Sequence, residues 1–264
     1  MSNSSLNALH YHKLGCGPKT LLAFHGIAQD GLSCFKPFEA ILGELYTIYA
    51  FDLFFHGNSV NASQTVITKD IWKDIVFDFL STNSIHQCDV AGFSMGGRFA
   101  LATLEAFPDQ IENVFLIAPD GVSEHPLYSF ATRFAPARGI FKWSMRHPDL
   151  FFNVADLLKK TGLIHGSLHR FVMQVLNTPE KRATIYNAWV NFRELRFDIP
   201  HLNRLALQKN IRIYLIVGQF DKLLKPDKVQ KLTTLLPESQ YVILKSGHTK
   251  LVEQAASWIY ALFG

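Results

Sequence analysis

DVAGFSMGGRFAL, residues 89–101, sets one serine, Ser94, midway between Gly92 and Gly96, with an apolar run before it and a helix-like run after it. A strand that runs straight into a helix through Gly-x-Ser-x-Gly turns so sharply that the serine is held in a strained backbone conformation. Side chains at the flanking positions would strike the adjacent strand and helix, so glycine stands there and the hydroxyl is left exposed at the top of the sheet. Gly97 and Ala100 let the following helix sit close to the sheet, its N-terminal amides and dipole aimed where an oxyanion would form.

Working outward, short apolar runs rich in Val, Ile, Leu, Tyr and Phe recur: TLLAFHG (20–26), YTIYAFD (46–52), CDVAGFS (88–94), NVFLIAP (113–119), IRIYLIVG (211–218) and QYVILKSG (240–247). They are too short for buried helices and lack polar alternation, as expected for strands covered on both faces. Helix-period stretches lie between them, at 71–80, 97–107, 226–236 and 251–263. This alternation predicts an α/β fold, a mostly parallel central sheet flanked by helices. It stops between Pro119 and Ile211, where apolar residues recur only at helical spacing. We read 121–205 as a helical cap inserted after the sixth core strand, and 1–120 with 206–264 as the core.

A chain of 264 residues has room for one large α/β domain with an insertion. Its 48% hydrophobic and 13% aromatic content supports a sizeable core. The net charge of +4 is spread without a lysine/arginine block, which argues against a nucleic-acid partner. Cys16, Cys34 and Cys88 form no C-x-x-C pair, and no His/Cys cluster shows ligand spacing, so reduced thiols and no metal are expected. The polar start and the absence of a run of about 20 apolar residues predict a cytoplasmic protein without membrane insertion. The expected partner is a small molecule.

A serine attacks poorly unless a base takes its proton and a third group orients that base. Six histidines follow Ser94: His125, His147, His165, His169, His201 and His248. Only His248 comes just after a sheet strand, in VILKSGHTKL, so it is the expected base. The orienting acid should also follow a strand. Asp221, in GQFDKLLKP, and Asp120, after NVFLIAP, both qualify. Asp221 is favoured because the loop after the penultimate strand faces the His248 loop most directly.

These features together resemble the α/β-hydrolase fold superfamily, its serine-nucleophile branch with a helical cap. The resemblance rests on FHG at 24–26, FDLFFHGNS at 51–59, GFSMGG at 92–97, GQFD at 218–221 and SGH at 246–248, in that order along nearly the whole core. It implies a catalytic triad of Ser94, Asp221 and His248. It also implies an oxyanion hole from the backbone amides of Ile27 and Met95, acyl transfer to water and no cofactor. Phe55 stands where the family's D-x-x-G-H-G-x-S motif has glycine. Serine at the nucleophile position disfavours dehalogenase and epoxide hydrolase chemistry, which use aspartate there.

An esterase acting on a small, partly apolar carboxylic ester is the leading expectation. Specificity should lie in the cap, whose aromatic residues run from Phe130 to Phe197 and include Phe171 and Trp189. Among the cap arginines, Arg133, Arg138, Arg146, Arg193 and Arg196 read mainly as a solvated face. Arg98, four residues after Ser94, is a candidate for binding substrate, as are His25 and Phe93. GFSMGGR also looks like the menaquinone-pathway lyases of the superfamily, in which an arginine at this offset holds an anionic substrate. Carbon–carbon bond hydrolases share the triad. A non-catalytic receptor for a small ligand is a further alternative.

Overall fold

The computed structural model describes residues 9–59, 65–124, 126–224 and 229–264. Each of the six apolar runs forms a strand: β2 (Lys19–Phe24), β3 (Tyr46–Phe51), β4 (Cys88–Phe93), β5 (Ile111–Ile117), β6 (Arg212–Gly218) and β7 (Tyr241–Leu244). A further strand, β1 (Tyr11–Leu14), completes a seven-stranded sheet of order β1-β3-β2-β4-β5-β6-β7. Every pairing is parallel except β1 with β3. β1 was not legible as a strand because it lies at the edge, and its polar sequence YHKL is mostly exposed.

Continuous apolar runs are needed because both faces of the sheet are covered. Leu22, Phe24, Val90, Val114 and Leu116 point to one core, packed beneath α2 (Lys69–Thr82) and α3 (Gly96–Ala106). Leu21, Ala23, Ala91, Phe115 and Ile117 point to the other, beneath α1 (Gly31–Leu42) and α11 (Leu251–Phe263). The helix α1 escaped the sequence reading. It carries Pro37 inside it, and its start is fixed by a reciprocal cap between Asp30 and Ser33. Of the helix expected over 226–236, the described residues contain α10 (Gln230–Thr233); 225–228 lie outside them.

Between β5 and β6 come α4 (Pro126–Arg133), α5 (Ala135–Arg146), α6 (Pro148–Lys160), α7 (Gly166–Val175), α8 (Pro179–Asn191) and α9 (Ile199–Gln208). This segment follows the fifth strand among the described residues rather than the sixth, since only β1 precedes β2 there. Helix α9 crosses the expected boundary at 205 and sends Ile199, Leu202 and Ala206 into the α3-side core. Ala188 near the end of α8 and Phe192 after it join the same cluster. No helix among the described residues is long and apolar enough to cross a membrane.

The parallel pairings put the loops after β2, β4, β5, β6 and β7 on one edge. The chain reverses its direction of sheet growth between β2 and β4, and in open α/β sheets ligands bind in the crevice at such a reversal. At this crevice the turn after β4 is extreme. Ser94 has φ of 51°, in the left-handed region. A Cβ on Gly96 would lie 1.9 Å from the carbonyl oxygen of Phe24, and one on Gly92 would lie 2.6 Å from that of Gly96. Hydrogen bonds hold the strain: Ser94 N–H donates to Ile117 O at 2.9 Å, and Ser94 O accepts from Gly97 at 2.9 Å and Asp120 at 2.8 Å.

The neighbouring loops are tied by His25, which is fully buried. Its Nε2 accepts the Leu53 N–H at 2.9 Å, so Nδ1 carries the proton and donates to Gly26 O at 2.7 Å. Burial, and then His56, lowers its pKa to about 3.

Gly96→Ala should destabilise by about 3 kcal/mol or more, whereas Gly139→Ala, in helix α5 with nothing within 4 Å of its would-be Cβ, should stabilise by about 0.5–1 kcal/mol; urea denaturation measures both. For His25, the unfolded ring takes up a proton below its ordinary 6.5 while the folded ring stays neutral to about 3. Its contribution is complete above pH 6.5 and is lost as pH falls through that window. Thermal midpoints should drop between pH 7 and 4.5, less steeply in His25→Gln; identical slopes in the two proteins would contradict this assignment.

Candidate active site

Asp221 follows β6 and is buried, 3% exposed. Its Oδ1 accepts the N–H groups of Leu223 at 2.8 Å and Leu224 at 3.0 Å, which fixes the carboxylate. Oδ2 accepts from His248 Nδ1 at 2.6 Å. The glycine ending β6 makes this meeting sterically possible, since a Cβ on Gly218 would come within 2.5 Å of Ser246 O in the His248 loop. A proton on Nδ1 leaves the Nε2 lone pair of His248 available as an acceptor.

Ser94 and His248 line the same two adjoining cavities. The larger, about 650 Å³, is walled by Met95, Arg98, Tyr128, Trp189 and Phe192 among others. The smaller, about 400 Å³, includes Gly26, Phe93, Arg170 and Phe220. Ile27, Ser94, Leu223 and His248 belong to both walls, so the serine sits at the junction. Among the described residues no hydrogen bond joins the Ser94 hydroxyl to His248; such contacts often tighten only when substrate is bound. The backbone amides of Ile27 and Met95 donate to no protein acceptor among the described residues, and both residues line the larger cavity.

Arg98 reaches that cavity but is already engaged. It is 2% exposed; Nε donates to Asp120 Oδ2 at 2.6 Å, Nη2 to Asp120 Oδ1 at 3.2 Å and Nη1 to Leu195 O at 3.1 Å. Glu124 Oε1 lies 3.6 Å from Nη1, and the guanidinium stands 4.7 Å from the centre of the Tyr128 ring. Burial alone would lower its pKa, but Asp120, Tyr128 and Glu124 together hold it above the ordinary value. Asp120, the second candidate for the orienting acid, is thereby committed to Arg98 rather than to a histidine.

Of the other expected substrate contacts, Phe93 lines the smaller cavity and its ring packs 4.8 Å from that of His248. His25 lines neither cavity; its Nδ1 is spent on the adjacent Gly26 carbonyl and its Nε2 on the Leu53 amide of the loop after β3. Of the remaining histidines, His147, His165, His169 and His201 line neither cavity, and His125 lies outside the described residues. Trp189 and Phe192 reach the larger cavity, whereas Phe130, Phe134 and Trp143 are exposed and the Phe171 side chain is outside the described set. Arg133, Arg138, Arg146, Arg193 and Arg196 line neither cavity. Tyr128 and Arg170 were missed; their helical context gives no sign of which way they face. Phe55 adopts φ of 70°, the conformation that glycine would serve without strain, and its ring packs 5.9 Å from that of Phe192.

Comparison with known proteins bears on the fold and the family. An uncharacterised protein of Mycobacterium tuberculosis (strain ATCC 25618 / H37Rv) is 25% identical over 93% of this chain and 74% of its own length. The 2-hydroxymuconate semialdehyde hydrolase of Pseudomonas sp. (strain CF600) is 28% identical over 42% of this chain and 40% of its own. Among solved structures, a thermophilic esterase from Thermogutta terrifontis superposes with a TM-score of 0.70 at 19% identity, covering 96% of this chain and 91% of that one. A meta-cleavage product hydrolase from Pseudomonas fluorescens IP01 gives 0.66 at 17% identity, covering 100% and 97%. The family model described as alpha/beta hydrolase fold matches residues 19–255, and the chain belongs to that family.

Proposed function

We propose that this chain is a serine hydrolase that cleaves a small carboxylic ester, or a related acyl compound, through an acyl-enzyme. The observation that carries this reading is the 2.6 Å bond from His248 Nδ1 to Asp221, in a histidine that shares both cavity walls with Ser94. His248 Nε2 removes the Ser94 proton as Oγ attacks the substrate carbonyl carbon. The amides of Ile27 and Met95 receive the developing oxyanion. The proton then passes to the leaving alcohol, and a water activated by the same histidine hydrolyses the ester to Ser94. Desolvation inside the cavity strengthens the Asp221–His248 pairing as the imidazolium forms.

Helices from the segment after β5 cover the serine, since Tyr128 of α4 and Trp189 of α8 line the larger cavity. In this reading they form the cap, with α9 left to the core. The two lobes meeting at Ser94 suit a substrate with an arm on each side of its scissile carbonyl. Arg98, matched by Asp120 and approached by Glu124, offers no uncommitted positive charge to a substrate carboxylate. That supports a neutral acyl group over the anionic substrate of a lyase. The meta-cleavage hydrolase neighbours favour carbon–carbon bond hydrolysis as the second reading, with the same three residues.

Hydrolysis of p-nitrophenyl esters from acetyl to decanoyl should peak at one chain length. Ser94→Ala and His248→Ala should each lower kcat by about 10³-fold or more, and Asp221→Asn by about 10³–10⁴-fold. Turnover no greater in the wild type than in these variants would overturn the esterase reading. Carbon–carbon cleavage of a vinylogous keto acid would then support the second reading, and a ligand that raises the melting temperature without forming product would support a receptor.

A further inference from the structure

Far from Ser94 in its chemistry, three side chains converge at the edge of the sheet. His10 and His12 are two residues apart on either side of Tyr11, which opens β1, and side chains at i and i+2 of an extended chain face the same way. Asp52 follows β3, the strand to which β1 is paired, with Tyr11 opposite Phe51. The register therefore brings the two imidazoles to one carboxylate. His10 Nδ1 lies 3.0 Å from Asp52 Oδ2, and His12 Nε2 lies 3.3 Å from Oδ1. The ligand-capable atoms of the three residues are all within 4.8 Å of one another.

We propose that His10, His12 and Asp52 form a binding site for a divalent transition-metal ion of the zinc class. The supporting frame is built independently of any ion. Asp52 Oδ1 accepts the Gly31 N–H at 2.8 Å and Oδ2 accepts the Asn58 N–H at 2.8 Å, so the carboxylate is fixed. Asp52 N–H donates to His10 O at 2.9 Å, and His10 N–H donates to Ser59 Oγ at 2.9 Å, which ties the ligand-bearing segments together. Gly57, with φ of 51°, leaves room for the carboxylate; a Cβ there would sit 2.2 Å from Asp52 Oδ2.

The donor chemistry selects the ion. Two imidazole nitrogens and a carboxylate suit Zn²⁺, Co²⁺ or Ni²⁺, whereas Mg²⁺ and Ca²⁺ prefer oxygen alone. Zinc bonds of about 2.0–2.1 Å separate tetrahedral ligand atoms by about 3.4 Å; the His10 and His12 separations of 3.0 and 3.3 Å run to different oxygens of Asp52, so the ion would be held through both oxygens or with one imidazole swung toward the other's oxygen. The His10 ring is 41% exposed, so an ion can enter from solvent and the ring can turn to close the remaining gap between the imidazoles. Water or the second carboxylate oxygen would complete the coordination. The ion would clip the edge strand to the end of β3, about as a cross-link does, and leave the chemistry at Ser94 untouched.

The test is isothermal titration of the untagged, EDTA-treated full chain with Zn²⁺, alongside His10→Ala and His12→Ala. Neither position is buried, His10 being exposed and His12 half-buried, and circular dichroism checks that the variants are folded. One equivalent should bind to the wild type, raising its melting temperature by about 5 °C at saturating zinc. Each variant should lose at least tenfold in affinity, and Mg²⁺ should produce no heat. Absence of saturable zinc binding would overturn the proposal and leave the cluster as a hydrogen-bonded His–Asp–His group. Zinc binding of equal strength in wild type and both variants would also overturn it, by placing the ion elsewhere; loss of that binding in His248→Ala would locate it at the candidate active site.

Discussion

The close approach of Gly96 to the end of β2 is the constraint on which the rest of the site depends. With no Cβ at residue 96, helix α3 starts almost against the Phe24 carbonyl, and the chain can leave β4 through a left-handed Ser94. That single turn brings three things to one crevice: the hydroxyl, the amide of Met95, and the loop after β2 with its Ile27 amide. Any side chain at 96 would have to push helix from sheet, and the α3-side core would open with it. The strain at Ser94 is held by three backbone hydrogen bonds reaching β5 and the turn behind it. The strained placement of this serine is therefore a property of the packed sheet rather than of the serine itself.

Buried polar groups divide the loops at the sheet edge between structure and chemistry. His25 and Asp52 are fully buried: His25 bonds to backbone groups of Gly26 and Leu53, and Asp52 accepts the Gly31 and Asn58 amides with His10 and His12 beside it, which fixes the loops after β2 and β3. Arg98 and Asp120 do the same for the loop after β5, where Arg98 Nη1 also reaches back to Leu195 O. Asp221 and His248 differ in one respect: their pairing uses only one imidazole nitrogen of a residue that lines both cavities. Beside the larger cavity, the Arg98 charge is thus already matched by Asp120.

Much of this was readable in the chain, and the limits are physical. The six doubly buried strands announce themselves because burial on both faces removes polar alternation. The G-x-S-x-G turn is readable because only glycine tolerates its contacts, and His248 and Asp221 stand out because each directly follows a strand. β1 was silent, since its polar sequence YHKL has no apolar run, and α1 was obscured by Pro37. The pairing of Arg98 with Asp120 spans 22 residues, and that of His10 with Asp52 spans 42, so neither has a local signature. His25 looked like a substrate contact beside its glycine, and only the Leu53 amide reveals its structural duty.

The central claim is that Ser94 is a nucleophile activated by His248 and oriented within this strained turn. The most direct measurement is the rate of covalent labelling by a fluorophosphonate, followed by intact and peptide mass spectrometry. The account predicts one adduct per chain, located on Ser94. Labelling should be absent in Ser94→Ala and slowed by about 10³-fold or more in His248→Ala. An adduct on another residue, or equal labelling rates with and without His248, would contradict it.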